Sequence, residues 1–334
     1  MTSRKIRIFI NGFGRIGRSA ARIILADERF ELVGINDLYR FEQMGYLLKY
    51  DSIYGVLSSD IEVVNDTLLA DAHQIKLFSE PDPSALKIEA MDIDVVLQCS
   101  GMFLNEEKNI VFVKNGAGKV IVSAPPSDTM PTYIYGVNHT EYRGEPVISN
   151  SSCSANAIVP ILKIIEKHFG LEAAMMSMYH SYTAYQNLLD GKHYSKDIRR
   201  TRSATQNIIP LMSGAAEATA YFFPQMKGKF SAKSIRVPIP STTLYDFSIK
   251  LTKKTAKEEV NRVFEKEMES RYKTILAYTR TIHTSCDYTG DPHSAVVNLP
   301  LTSVSGEVLL RVSAWQDNEY GYAKRLVDMA GTIA

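Results

Sequence analysis

The strongest chemical candidate in this sequence is a cysteine set among small polar residues. Cys153 stands in Ser149-Asn150-Ser151-Ser152-Cys153-Ser154-Ala155-Asn156, where the pattern reads as the start of a helix running to about Phe169. Backbone N–H groups and the helix dipole at such a start stabilise a thiolate and bring a thiol pKa from about 8.5 toward 3.5–7.5. The bland alternative is a small buried hydrophobe, the usual fate of a lone cysteine. His180 follows 27 residues later, at the end of the extended run Met175–Tyr182. Alone it reads as a structural histidine; with Cys153 it makes a nucleophile–base couple, which is spatial and not sequential. Cys99 reads as core near a strand end, and Cys286 has no assigned role.

Cations are the second group. Arg199-Arg200-Thr201-Arg202 is the densest cluster. It is either a solvated face or an anion site in a cleft, because arginine suits bidentate phosphate recognition. A nucleic-acid patch fits poorly with a net charge of +1 and no interleaved aromatics. Ser213-Gly214 precedes a helical stretch and can add backbone donors. Arg236, in Ser234-Ile235-Arg236-Val237-Pro238, is an arginine in an apolar strand and needs a partner.

The third group binds rather than reacts. Gly12-Phe13-Gly14-Arg15-Ile16-Gly17 matches G-x-G-x-x-G directly after a strand pattern and at the opening of a helix. The first glycine allows the tight turn, the second lets backbone approach a pyrophosphate, and the third lets helix and strand pack closely. Asp37 ends the next strand, twenty residues beyond Gly17, where an acid receives adenosine ribose hydroxyls. Its charge repels a 2′-phosphate and favours NAD over NADP. Leu38 offers no cation in its place, although Arg40 is near. The plain alternative is a strand–turn–helix punctuated by glycine.

The elements that must position these residues are legible as a pattern. Strands are expected at Lys5–Asn11, Phe30–Asn36, Val95–Cys99 and Val120–Ser123, and paired strands over Ile61–Ser79 with a turn at Asn65-Asp66. Helices are expected at Gly14–Ala26, Phe41–Tyr50 and Asn105–Lys114. This alternation argues a parallel sheet with helices on both faces, an α/β arrangement. After Ser152 the character changes. A polar, basic loop from Thr183 to about Gln206 leads to a helix over Gly214–Met226. Strands follow at Lys233–Val237, Tyr245–Leu251, Ala295–Asn298 and Val308–Ala314, with helices at Lys257–Tyr272 and Tyr322–Ile333. That grouping suggests a mixed or antiparallel sheet in an α+β domain.

Composition excludes several classes. In 334 residues, 45% apolar and 22% charged is a globular balance, not a disordered one. Lys plus Arg is 38 against 37 Asp plus Glu, so no bulk field draws the chain to nucleic acid or an anionic membrane. Three widely spaced cysteines make neither a disulfide framework nor a metal site, so no metal is expected and the thiols fit a reducing compartment. No apolar run approaches the roughly 18 residues that span a bilayer. A cytoplasmic protein is the expectation.

Seven motifs in order carry a resemblance: Asn11-Gly12-Phe13-Gly14-Arg15-Ile16-Gly17, Ser149-Asn150-x-Ser152-Cys153-x-x-Asn156, Arg199-Arg200-x-Arg202, Asn207-Ile208-Ile209-Pro210, Gly214-Ala215-Ala216, Arg236-Val237-Pro238 and Asp317-Asn318-Glu319-x-Gly321-Tyr322. Together, from residue 5 to about 330, the chain resembles the phosphorylating glyceraldehyde-3-phosphate dehydrogenases. The resemblance implies a Rossmann NAD-binding domain over residues 1–152, an α+β catalytic domain over 153–317, and a C-terminal helix over 318–334 packing back on the first domain. It implies a homotetramer. It implies that Cys153 attacks an aldehyde to form a thiohemiacetal, with His180 as base, and that hydride passes to NAD. Inorganic phosphate then cleaves the thioester to an acyl phosphate. Gly12, Gly14, Arg15, Ile16, Gly17, Asp37, Ser123, Asn318 and Tyr322 fall to the cofactor. Arg236 and Thr183 fall to the terminal phosphate of a small aldehyde, and Ser152, Ser154, Arg200, Ser213 and Gly214 to the attacking phosphate.

The sequence also departs from that pattern. The family's Cys-Thr-Thr-Asn is Cys153-Ser154-Ala155-Asn156 here, its Thr-Gly is Ser213-Gly214, and a Lys after Gly-Ala-Ala is Glu217. Tyr185 stands where an Asp is usual; its phenol is expected to donate to a substrate phosphate oxygen in place of an ionic bracket. Arg199-Arg200-Thr201-Arg202 and Phe222-Phe223-Pro224-Gln225 lean toward erythrose-4-phosphate dehydrogenase. That enzyme, with water resolving the thioester, is the runner-up reading; a catalytically weak paralogue serving as a binding protein is the third.

Overall fold

Strands covered on both faces read as unbroken apolar runs, and the first sheet is made of them. Ile8, Phe9 and Ile10 of β1 (Ile6–Asn11) are fully buried, as are Val95, Val96 and Leu97 of β8 (Val95–Gln98) and Val120 and Ile121 of β9 (Lys119–Val122). The computed structural model describes residues 4–334. The other elements up to Ser149 are α1 (Arg15–Leu25), β2 (Phe30–Asn36), α2 (Phe41–Lys49), the short pair β3 (Tyr50–Asp51) and β4 (Gly55–Val56), β5 (Ile61–Val64), β6 (Thr67–Ala70), β7 (His73–Phe78), α3 (Glu106–Lys114) and β10 (Val147–Ser149). The sheet order is β10-β9-β8-β1-β2-β7-β6-β5. All neighbours from β10 to β7 are parallel; only β7-β6-β5 turn antiparallel. The connection order reverses between β1 and β8, so the crevice at the carboxyl ends of these two strands is where a doubly wound sheet takes its ligand.

The second sheet differs in kind. Its elements are α4 (Cys153–Phe169), β11 (Ala173–Ser181), β12 (Ile209–Met212), α5 (Ala215–Phe222), β13 (Phe230–Val237), β14 (Thr243–Lys250), α6 (Lys257–Glu269), β15 (Leu276–Thr279), β16 (Ala295–Asn298), β17 (Ser303–Ser305) and β18 (Leu309–Gln316). The order is β12-β13-β11-β14-β18-β16-β15, with β17 on β18. It is mixed: β11 runs parallel to β13 and antiparallel to β14. Burial alternates along β14, where Thr243, Tyr245, Phe247 and Ile249 are buried and their neighbours are not, the period of a sheet covered on one face. The last helix, α7, spans Tyr320–Ile333.

The chain divides into two compact units, one formed by the residues up to Ser152 with Tyr322–Ala334, the other by Cys153–Gly321. In the first, Gly331 on α7 lies against the Phe30 ring, 3.2 Å from where a Cβ would stand. No helix among the described residues is long and apolar enough to cross a membrane.

Ile61–Ser79 holds three strands, not two, because a second turn falls at Asp71, which like Asn65 has positive φ. β10, β12 and β15 escape the sequence reading: they have only three or four residues, and β12 carries Pro210, which an edge strand tolerates. α5 stops at Phe222 rather than Met226, since Pro224 disfavours helical backbone just before it.

Candidate active site

In the first unit the glycine loop sits at the β1/β8 reversal. Gly12 has φ +98°, and a Cβ there would stand 2.3 Å from the Ser100 backbone nitrogen. A Cβ on Gly17 would stand 2.1 Å from the Gly12 carbonyl oxygen, so these two glycines serve close packing. Gly14 is different: nothing lies within 4 Å of its Cβ position. It is the N-cap of α1 and offers no side-chain cap to the helix start, and the first turn holds no acid. That is the backbone cradle a pyrophosphate fits. Asp37 braces it, its Oδ2 accepting the Phe13 N–H at 2.5 Å. A carboxylate has further lone pairs, so the brace leaves acceptor capacity for a ribose.

A ladder of buried amides fixes the strand ends around the loop. Asn36 Nδ2 donates to Asn11 Oδ1 at 2.7 Å, and Asn11 Nδ2 donates to Gln98 Oε1 at 3.1 Å, which also accepts Ser100 N–H. The Arg15 guanidinium pairs with Asp51 and lies 5.3 Å over the Tyr54 ring, so its side chain braces α1. Ile16 is half-buried. Ser123 N–H donates to the Gln98 carbonyl at 3.0 Å, and its hydroxyl bonds the Cys99 thiol. Burial pushes that thiol up to about 12, which makes Cys99 inert. The buried Tyr322 hydroxyl donates to the Ser151 carbonyl at 2.9 Å, holding the backbone that enters α4.

In the second unit Cys153 is the first residue of α4, directly after Ser152. Its Sγ lies 4.0 Å from the Ser154 hydroxyl, which also bonds Tyr245. Its carbonyl accepts Gln316 Nε2–H at 3.1 Å, and Gln316 Oε1 accepts the Tyr245 hydroxyl at 2.7 Å. Tyr245 and Gln316 thus tie the helix start to β14 and β18. Sequence reasoning missed both, because nothing local marks a contact 163 residues away. The expected depression of the thiol does not occur here. Burial pushes Cys153 up, and the Ser154 hydroxyl and the Arg236 charge only partly offset it.

His180 and Arg236 are register partners on parallel β11 and β13. His180 is buried; its Nδ1 lies 2.8 Å from the Ser181 carbonyl oxygen and 2.7 Å from Arg236 Nη1, which donates to the same carbonyl at 3.0 Å. Burial first, and the Arg236 charge second, hold the imidazole down at about 3. A thiol pushed up and an imidazole pushed down are both neutral at pH 7. Arg236 carries no carboxylate partner among the described residues, and its buried Nε has no hydrogen bond. Desolvation, with Arg200 adding repulsion, pulls its guanidinium down to about 10. A desolvated cation with an unused donor is a place for an anion. Asn318 is buried, its Oδ1 accepting the Ser181 hydroxyl at 3.0 Å and the Thr243 hydroxyl at 3.5 Å, which fixes which way the amide points.

The remaining candidates lie on the loop after β11 and at α5. Thr183 N–H and hydroxyl both donate to Gln186 Oε1, at 2.8 and 3.0 Å; Gln186, buried with its Nε2 unbonded, is a third residue the sequence reading missed. The Ser213 hydroxyl accepts Ala215 N–H at 3.1 Å, Gly214 is the N-cap of α5 with open space at its Cβ position, and Glu217 is exposed in the first turn. The Tyr185 phenol, expected on a substrate phosphate oxygen, is engaged within its own loop. Its ring lies under Arg200, 4.8 Å from the guanidinium carbon, and its hydroxyl bonds Tyr194. No group of three or more His, Cys, Asp or Glu that could hold a metal ion occurs among the described residues.

Comparison with known proteins gives one answer along the chain. Residues 6–106 match the NAD binding domain of glyceraldehyde 3-phosphate dehydrogenase, and residues 152–318 match its C-terminal domain. Among similar full-length proteins, glyceraldehyde-3-phosphate dehydrogenase 2 of Streptomyces avermitilis is 39% identical over 97% of both chains. Glyceraldehyde-3-phosphate dehydrogenase of Mycobacterium leprae is 39% identical over 98% of both. The chloroplastic A form of Chlamydomonas reinhardtii is 38% identical over 99% of this chain and 89% of its own. With an NAD-type glycine loop on one unit and a cysteine-headed helix beside a histidine–arginine pair on the other, this chain belongs to the glyceraldehyde 3-phosphate dehydrogenase family.

Proposed function

We propose that this chain oxidises glyceraldehyde 3-phosphate with NAD and captures the product as 1,3-bisphosphoglycerate. The observation that carries this reading is the desolvated Arg236, without a carboxylate partner among the described residues and against the buried imidazole of His180. An enzyme for an unphosphorylated aldehyde has no use for a cation held there at such cost.

Gly12, Gly14, Gly17 and the backbone of Arg15 and Ile16 would hold the pyrophosphate, Asp37 the ribose, and Ser123, Asn318 and Tyr322 the remainder of the NAD site. NAD, when bound, accepts the hydride. The Cys153 sulfur adds to the aldehyde carbon as its proton passes to His180, whose Nδ1 is engaged by the Ser181 carbonyl and by Arg236 Nη1, which leaves Nε2 for the reacting atoms. His180 passes that proton on to the carbonyl oxygen, which gives the thiohemiacetal and returns the imidazole to its neutral form. His180 next takes the hydroxyl proton as hydride leaves, and a thioester remains. A phosphate oxygen then adds to the thioester carbon and the C–S bond breaks. Two anionic groups require two cations: Arg236 with Thr183 for the substrate, and Arg200 with Ser152, Ser154, Ser213 and Gly214 for the incoming phosphate.

NADH formation from glyceraldehyde 3-phosphate, with and without inorganic phosphate, tests the reading directly. Strict dependence on phosphate is the expected result. A preference for erythrose 4-phosphate that ignores phosphate would make this an erythrose-4-phosphate dehydrogenase instead, and no turnover of either would leave a binding protein.

A homotetramer is part of the proposal. What supports it is that the second unit leaves large apolar side chains exposed on β11 (Met175, Tyr179), on the loop (Leu189, Ile198) and at β12 (Ile208, Met212). Sedimentation equilibrium reads the state. Three free cysteines favour the cytoplasm as the compartment.

A further inference from the structure

Three arginines stand almost side by side after β11, and the structure treats them unequally. Arg199 is spent on Asp197 at 2.7 Å, and Arg202 on Asp190 at 3.0 Å. Arg200 has no carboxylate partner among the described residues; what it has is the Tyr185 ring, 4.8 Å beneath its guanidinium. That ring is itself held. Tyr194 meets it edge-on at 5.0 Å and His193 at 4.9 Å, and His193 stacks on Tyr194 at 4.6 Å. His193 Nδ1 accepts Ser195 N–H, so its Nε2 carries the proton and donates to the Tyr185 carbonyl at 2.8 Å.

We propose that Tyr185 is a positioning residue that presents Arg200, its donors not taken up by a carboxylate, to the attacking phosphate. A carboxylate would orient Arg200 as well, but it would also neutralise it and compete with the incoming anion. An aromatic face attracts the cation through its quadrupole and leaves the outward donors for a ligand. The charge of Arg200 already reaches Arg236, so the two cations act on one neighbourhood while serving different anions. This inference rests on the assignment of Arg200 to inorganic phosphate made above, and it makes Tyr185 a determinant of phosphate affinity rather than of hydride transfer.

The test is a KM split across three substitutions, on the NAD-loaded enzyme. Y185L removes the ring and is expected to raise the KM for inorganic phosphate about threefold to tenfold, the range of a cation–π contact. Its KM for the aldehyde and its kcat at saturating phosphate should stay near wild type. Y185F keeps the ring and should restore the wild-type value. Y185E places a carboxylate beside Arg200 and should raise the KM beyond Y185L. Equal phosphate KM in Y185L and wild type overturns the proposal, as does Y185F matching Y185L, or Y185E binding phosphate more tightly. Calorimetric titration with phosphate, without turnover, must give the same order. If the calorimetric order holds while NADH formation proves indifferent to phosphate, the functional reading fails, and what stands is that Tyr185 presents Arg200 to a bound phosphate.

Discussion

The carbonyl oxygen of Ser181 is shared by His180 Nδ1 at 2.8 Å and Arg236 Nη1 at 3.0 Å, which sets the two nitrogens 2.7 Å apart. Parallel pairing of β11 with β13 puts these residues in register, so the contact is built into the sheet. A fixed cation beside a buried imidazole opposes a second positive charge, and the histidine stays neutral over the pH range in which a base is useful.

Acid stability follows from that neutrality. His180 in the folded state titrates at about 3, against 6.5 when unfolded. The unfolded chain therefore binds the extra proton first, and stability rises with pH. The contribution is complete above about 6.5 and drains away as the pH falls toward 3. Tm measured across that window should drop for the wild type, and H180Q should flatten the slope. R236Q should raise the His180 pKa, read from its imidazole resonances; an unmoved pKa would remove Arg236 as a cause.

The same charge acts on the thiol in the opposite sense. Arg236 favours the Cys153 thiolate, although burial outweighs it. R236Q should therefore slow alkylation of Cys153 by iodoacetamide at neutral pH, and shift the rate–pH curve upward. Cys99, its thiol pushed up to about 12, should be the slowest of the three cysteines. C153S should abolish turnover with NAD binding kept. An R236Q enzyme that alkylates faster than wild type would contradict the electrostatic account.

Two glycines of one loop should behave differently. G12A asks a side chain to adopt φ +98° and to collide with the Ser100 backbone; the strained conformation alone costs about 1–3 kcal/mol, and Tm should fall. G14A adds a methyl to open space at an ordinary φ of −71°. It should leave Tm near wild type and weaken NAD, because the methyl occupies the cradle. A G14A protein with unchanged NAD affinity would take the pyrophosphate away from this loop.

Asp37 has two duties, bracing Phe13 N–H and receiving a ribose. A charge-assisted hydrogen bond contributes about 1.5–3 kcal/mol, so D37A should raise the KM for NAD about tenfold to a hundredfold. It should also narrow the gap between NAD and NADP. Equal kcat/KM for the two cofactors in the wild type would contradict the role given to its charge.

What the sequence determined by itself is what depends on near neighbours. The β1–loop–α1 segment, the strand ending before Asp37 and the helix beginning at Cys153 all stand where spacing placed them. Turn chemistry, helix starts and apolar periodicity act over a few residues and survive translation into three dimensions. The two-sided burial of the first sheet was legible for the same reason. Short strands were not, since three or four residues carry too little period; β10, β12 and β15 exist because a neighbouring strand offers them partners.

The tertiary structure alone decided everything that turns on burial and on partners far along the chain. His180 and Arg236 each stood out in the sequence, but only the parallel register of two strands 56 residues apart made them one unit. Tyr245 and Gln316 had no local signal, yet they hold the Cys153 helix start. The Tyr185 phenol was expected on a substrate phosphate, but the loop folds its ring onto the Arg200 guanidinium and its hydroxyl onto Tyr194. The direction in which the thiol is shifted was not legible either. A helix start argues for a thiolate, but desolvation depends on what the rest of the chain packs around the sulfur and the imidazole, and that is a property no spacing of residues contains.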